Sequence, residues 1–100
     1  LLPLITAAAE ELSLLRTAAR EALLDAWAAL DRHQQIIVHA RRYISDEPFN
    51  ERMRAQLITA LKQVGRHAEA FESYYQAERI FNDELGVDPG RHLRAALVEA

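Results

Sequence analysis

Cysteine is absent from this 100-residue chain, which excludes a disulfide framework and any thiolate metal site. Glycine and proline are scarce, three of each, so few positions can break a helix. Lysine occurs once, as Lys62, beside eleven arginines, and the 15 acidic residues leave a net charge of −3. A domain that grips DNA needs a basic stripe to displace counterions. Here the arginines are interleaved with acids: Arg41 and Arg42 precede Asp46 and Glu47, and Arg52 follows Glu51. Direct nucleic-acid binding by this segment is therefore not expected. No apolar run is long enough to span a bilayer, and no signal-peptide pattern is present. The reading is a soluble, cytoplasmic protein with no membrane partner. No stretch alternates with period two, so no strand is expected.

Catalytic constellations are missing as well. His33, His39, His67 and His92 include no pair four apart on a helix, as a zincin site would need. Ser13, Ser45 and Ser73 lack a nucleophile-elbow setting, and no glycine-rich loop exists to cradle a phosphate. No catalytic residue, metal ligand or cofactor is assigned, and the chain does not read as an enzyme.

What is abundant is alanine, 18 residues in a chain that is half apolar. Alanine loses no side-chain entropy in a helix, so the composition favours an all-α domain. The chain also nearly repeats itself every 34 residues: Trp27 returns as Leu61, Leu30 as Val64, Asp31 as Gly65, Arg32-His33 as Arg66-His67 and Arg20 as Arg54. That period is the length of a tetratricopeptide unit, two antiparallel helices that stack on the next pair. Such a unit cannot bury its apolar face alone, and so it stacks and presents a surface.

Five helices are expected. Residues 4–30 form the first, with Ala8, Leu12, Leu15, Ala19, Ala22 and Ala26 as an apolar stripe at alternating steps of four and three. A break at residues 31–33 leads to a second over 34–44, closed by Pro48. Asn50 caps a third that runs to 64, where Gly65 supplies the left-handed residue. The fourth spans 67–85, with Ala70, Phe71, Tyr74, Ala77, Phe81 and Leu85 inward, and Gly86 stops it. Asp88-Pro89 reads as an aspartate cap with proline in the first turn of a fifth. In the tetratricopeptide pattern Leu61 is a large apolar residue of the first helix, Gly65 the turn, Ala77 the small residue at the helix crossing, Phe81 the plug and Pro89 the closing proline; Trp27 is the counterpart of Leu61.

The segment GRHAEAFESYYQAERIFNDELGVDPGRHLRAAL, preceded by EPFNE and ALDRH, closely resembles the signature of the bacterial transcriptional activator domain. That family is found in Streptomyces antibiotic regulatory proteins and related multidomain regulators. Its helix of the type "GRxAEAL…Y" is followed by "ELGVDPGPxLRxL", and Arg91-His92 depart from that pattern. The resemblance implies a single tetratricopeptide-like domain over residues 1–100 of a longer regulator, with an N-terminal winged helix supplying DNA binding. It further implies a non-catalytic role in dimer contacts, or in contacts to other domains or to RNA polymerase.

Two surfaces are expected to matter. Leu12 and Leu15 on the first helix would pack on a second copy or on the adjacent DNA-binding domain. Lys62, Arg66 and Glu69 would face the groove that a tetratricopeptide array offers to a peptide. The alternative reading is an adaptor whose groove binds a peptide from an unrelated partner.

Overall fold

The computed structural model describes residues 1–99. It contains α1 (Leu2–Ala29), α2 (His33–Asp46), α3 (Glu51–Gln63), α4 (His67–Ile80) and α5 (Arg91–Val98), with a π-helical turn at Phe81–Leu85 closing α4. No strand occurs among the described residues. The helices form stacked antiparallel hairpins of tetratricopeptide type. At the centre lies α3, which packs on α1, α2, α4 and α5.

The 34-residue repeat is visible in the backbone itself. Arg32 N donates to Trp27 O and Arg66 N to Leu61 O, both at 2.8 Å. Asp31 N donates to Ala28 O at 3.1 Å and Gly65 N to Lys62 O at 3.0 Å. Every partner is displaced by 34 positions. Asp31 (φ 55°) and Gly65 (φ 80°) both occupy the left-handed region. This geometry releases the last carbonyls of one helix to bond the turn into the next. An aspartate there crowds its own Cβ against the following carbonyl, which glycine avoids. Asp31→Gly should therefore raise stability by about 1 kcal/mol, measured by urea denaturation; a loss would mean that the carboxylate makes a contact worth more than the strain.

The core collects Leu24, Ile36, Ile37, Ala40, Met53, Ile58, Leu61, Ala77 and Leu93, all at most 2% exposed. Asn50 caps α3 as expected, its Oδ1 accepting from Met53 N at 3.0 Å. Ala77 is fully buried on α4. Enlarging it should overpack the core: Ala77→Leu is expected to cost about 1–3 kcal/mol, and no loss in a denaturant titration would place the tight contact elsewhere. Phe81 is buried and meets the Phe49 ring with centroids 6.0 Å apart.

Several expectations are corrected. The stripe Ala8, Leu12, Leu15, Ala19, Ala22 and Ala26 does not pack on the other helices; all six residues are exposed. The face of α1 turned to the bundle carries Thr17, Arg20, Leu24, Trp27 and Ala28. At 100° per residue the two rows are centred about 150° apart. Trp27 is only half-buried where Leu61 is fully buried, because among the described residues no helix packs on the outer side of α1. Phe71 is 49% exposed, at the flank of the α4 stripe rather than on it.

Leu85 is exposed too. Asn82 Nδ2 donates to Glu78 O at 2.9 Å, tapping the carbonyl that the helix ladder would use, and the last turn opens to π geometry. The fifth helix starts later than Asp88-Pro89 indicates: Pro89 is buried in an extended approach and Gly90 is the N-cap. Gly90 N donates to Glu51 Oε1 of α3. A Cβ on Gly90 would lie 2.6 Å from Glu51 Oε2, so this close approach suits glycine.

Candidate functional site

Polar links between α1 and its neighbours orient the long helix. Arg20 Nη1 donates to Glu47 Oε2 at 2.8 Å and Nη2 to Asp46 Oδ2 at 2.9 Å. The Thr17 hydroxyl donates to Glu47 Oε1 at 2.5 Å, and the Arg20 guanidinium lies over the Tyr43 ring, 4.7 Å from its centroid. Arg52 pairs with Asp25, and Gln56 donates to Asp25 Oδ1 at 2.7 Å. The far part of α1 is different: residues 1–16 are all exposed. Along the line that continues the packed face stand Thr6, Glu10 and Ser13. Opposite them, pointing away from the bundle, run Leu12 (67% exposed) and Leu15 (59% exposed), with Leu4, Ile5 and Ala8. A row of leucines and alanines is thus left uncovered on the outer side of α1.

The three residues expected to share a groove are divided. Lys62 Nζ donates to Ala96 O at 3.0 Å and Leu97 O at 2.9 Å, and to Glu99 O. It satisfies the free carbonyls at the end of α5, where a cation also meets the negative end of the helix dipole. Arg66 and Glu69 pair with each other at the start of α4 instead. Arg66 Nε donates to Glu69 Oε2 at 2.5 Å, and Arg41 of α2 reaches Glu69 Oε1 at 3.1 Å. The helices α1, α3 and α5 are thus stitched to one another on the face where a peptide groove was expected. An open groove of about 880 Å³ lies instead on the opposite face, lined by α2 and α4 with Arg54 and Leu57 of α3. Glu69 is the one residue of the expected trio that lines it.

Two of these carboxylates, Glu69 and Glu47, are held ionised. Hydrogen bonds from Arg66 and Arg41 bring Glu69 down to about 2. Burial would raise Glu47, but the Thr17 hydroxyl and Arg20 outweigh it, and its pKa is lowered. A carboxylate depressed on folding adds stability above its unfolded value, near 4.5 here, and that share is lost as pH falls through the folded value. Thermal melting should therefore fall between about pH 5 and pH 2. Glu47→Gln should flatten that slope; an unchanged slope would remove the α1–α2 links from the cause.

Arg54 and the exposed Phe71 were missed by sequence reasoning. The signal was partly present: Arg54 adjoins Met53 and stands three before Leu57 on the inward side of α3, and it is the repeat of Arg20.

Stacked helical hairpins with polar inter-helix links define an all-α domain of tetratricopeptide type. The match to known families agrees over nearly the whole length. The chain belongs to the bacterial transcriptional activator domain family, whose profile matches residues 2–99. It is 37% identical over 79 residues to the transcriptional regulator RedD of Streptomyces coelicolor, covering 79% of this chain and 23% of that protein. It is 33% identical over 93 residues to the transcriptional regulatory protein EmbR of Mycobacterium tuberculosis, covering 93% of this chain and 23% of EmbR. The regulatory protein AfsR of S. coelicolor is 39% identical over 57 residues, 57% of this chain and 6% of AfsR. The chain thus spans about a quarter of the length of RedD and EmbR. No solved structure matches it significantly.

Proposed function

We propose that this chain is the non-catalytic association domain of a larger transcriptional activator. The observation that carries the reading is the outward row of α1, Leu12 and Leu15 with Leu4, Ile5 and Ala8, which no part of the bundle covers. A second copy of the chain or an adjoining DNA-binding domain packs on this row. That contact sets the spacing of two half-sites on the DNA or positions the regulator against RNA polymerase. DNA is read by a winged helix N-terminal to this domain, as in the multidomain regulators that the sequence resembles. The domain acts in the cytoplasm, and among the described residues no helix is long and apolar enough to cross a membrane.

This division of labour predicts that the segment alone gives no sequence-specific gel shift at physiological salt, since its charge is mixed and its net value is −3. Specific binding with a steep salt dependence would mean that this domain itself reads the operator. Sedimentation of the chain and of the whole regulator tests association through α1.

A further inference from the structure

Arg54 is 4% exposed, yet among the described residues no carboxylate pairs with it. Its Nε donates to Pro48 O at 2.7 Å, which fixes the plane of the guanidinium. Neither Nη group has a hydrogen-bond partner among the described residues, yet no buried side-chain nitrogen there lacks one. The Nη edge is therefore still within reach from outside, and the open space beside Arg54 is the groove between α2 and α4. Burial lowers the pKa of this guanidinium, as expected of a cation with no anion beside it.

The repeat shows what is missing. Arg20, 34 positions earlier, is held by Asp46 and Glu47. The positions 34 beyond those two acids are Ile80 and Phe81. The second repeat thus has an arginine at the same position, now buried, and apolar residues in place of both carboxylates. A desolvated guanidinium with a free edge favours one planar, bidentate partner, a carboxylate above all.

The groove around it fits a body as well as a head. Ile44, Phe71, Tyr75 and Ile80 line it with apolar surface, Phe71 and Tyr75 being 49% and 48% exposed. Its volume of about 880 Å³ falls in the range of small-molecule sites. Glu69 and Glu72 stand among Arg41, Arg54 and Arg79, so the walls offset much of the positive charge and disfavour a doubly charged phosphate. The geometry points to a binding site for a small amphipathic organic acid, its carboxylate on Arg54 and its apolar body against Ile44, Phe71 and Tyr75. The site is separate from the association row of α1.

The test uses 2-naphthoate as probe, followed by amide chemical shifts in NMR spectra of the whole 100-residue chain. Saturable shifts at Ser45, Leu57, Tyr75 and Ile80 are expected, with binding at least about tenfold weaker for the neutral 2-naphthylmethanol. Arg54→Gln, which keeps a donor for Pro48 O, should weaken naphthoate by a similar factor. If that variant fails to fold, Tyr75→Asp, which puts a carboxylate on the exposed wall, should give the same loss. Equal binding of the alcohol would overturn the proposal, as would shifts confined to other helices. So would competition by inorganic phosphate at equal strength, or binding of an acidic peptide in place of naphthoate.

Discussion

Replacing Leu61 by alanine is expected to cost this domain about 2–5 kcal/mol, the range for a fully buried leucine whose site collapses only in part. Leu61 has no exposed surface and sits on α3, the helix that touches all the others. A domain of this size has about 5–15 kcal/mol in total, so the variant should unfold at markedly lower urea. Trp27→Ala should cost less, about 2–3 kcal/mol, although the side chain is larger. Trp27 is only partly buried at the edge of the core, with the His39 ring at a centroid distance of 4.8 Å. The order of the two losses is the informative result. A larger loss at Trp27 would show that further chain covers the outer side of α1. A loss below about 1 kcal/mol at Leu61 would refute the stacking of the repeats on α3.

Leu12→Glu combined with Leu15→Glu should abolish association while leaving the domain folded. Both side chains stand on the uncovered side of α1, and exposed substitutions of this kind usually change stability by no more than about 0.5 kcal/mol. Helix content by circular dichroism should therefore be unchanged. At an interface each buried leucine is worth a tenfold factor or more in affinity, on the order of 1.5–3 kcal/mol, and a buried unpaired carboxylate adds a penalty. Sedimentation should then show the variant as a single copy wherever the parent chain associates. Activation by the full regulator should fail in parallel. Loss of helix content instead would show that the row is needed for folding rather than for association. Unchanged sedimentation would move the association surface away from α1.

Much of this fold was legible in the sequence. The helix order, the left-handed residues at Gly65 and Gly86, the Asn50 cap and the burial of Leu61, Ala77 and Phe81 all follow from local rules. A backbone turn or a cap is decided by a few neighbouring residues, and a 34-residue period names the hairpin that repeats. Family membership was legible for the same reason, since the turn and cap motifs are contiguous. Which side of α1 faces inward was not. Ala8, Leu12, Leu15, Ala19, Ala22 and Ala26 make a better apolar stripe than the side that packs, where Thr17 and Arg20 are accommodated only because Glu47 and Asp46 arrive from α2. Periodicity reports that a helix has an apolar side and is silent on what will cover it. The later start of α5 depends on Glu51 meeting Gly90, and the position of Lys62 on the α5 carbonyls. Both contacts join residues more than 30 positions apart. Such pairings come from helix packing alone, because no local propensity encodes a partner that distant in the chain.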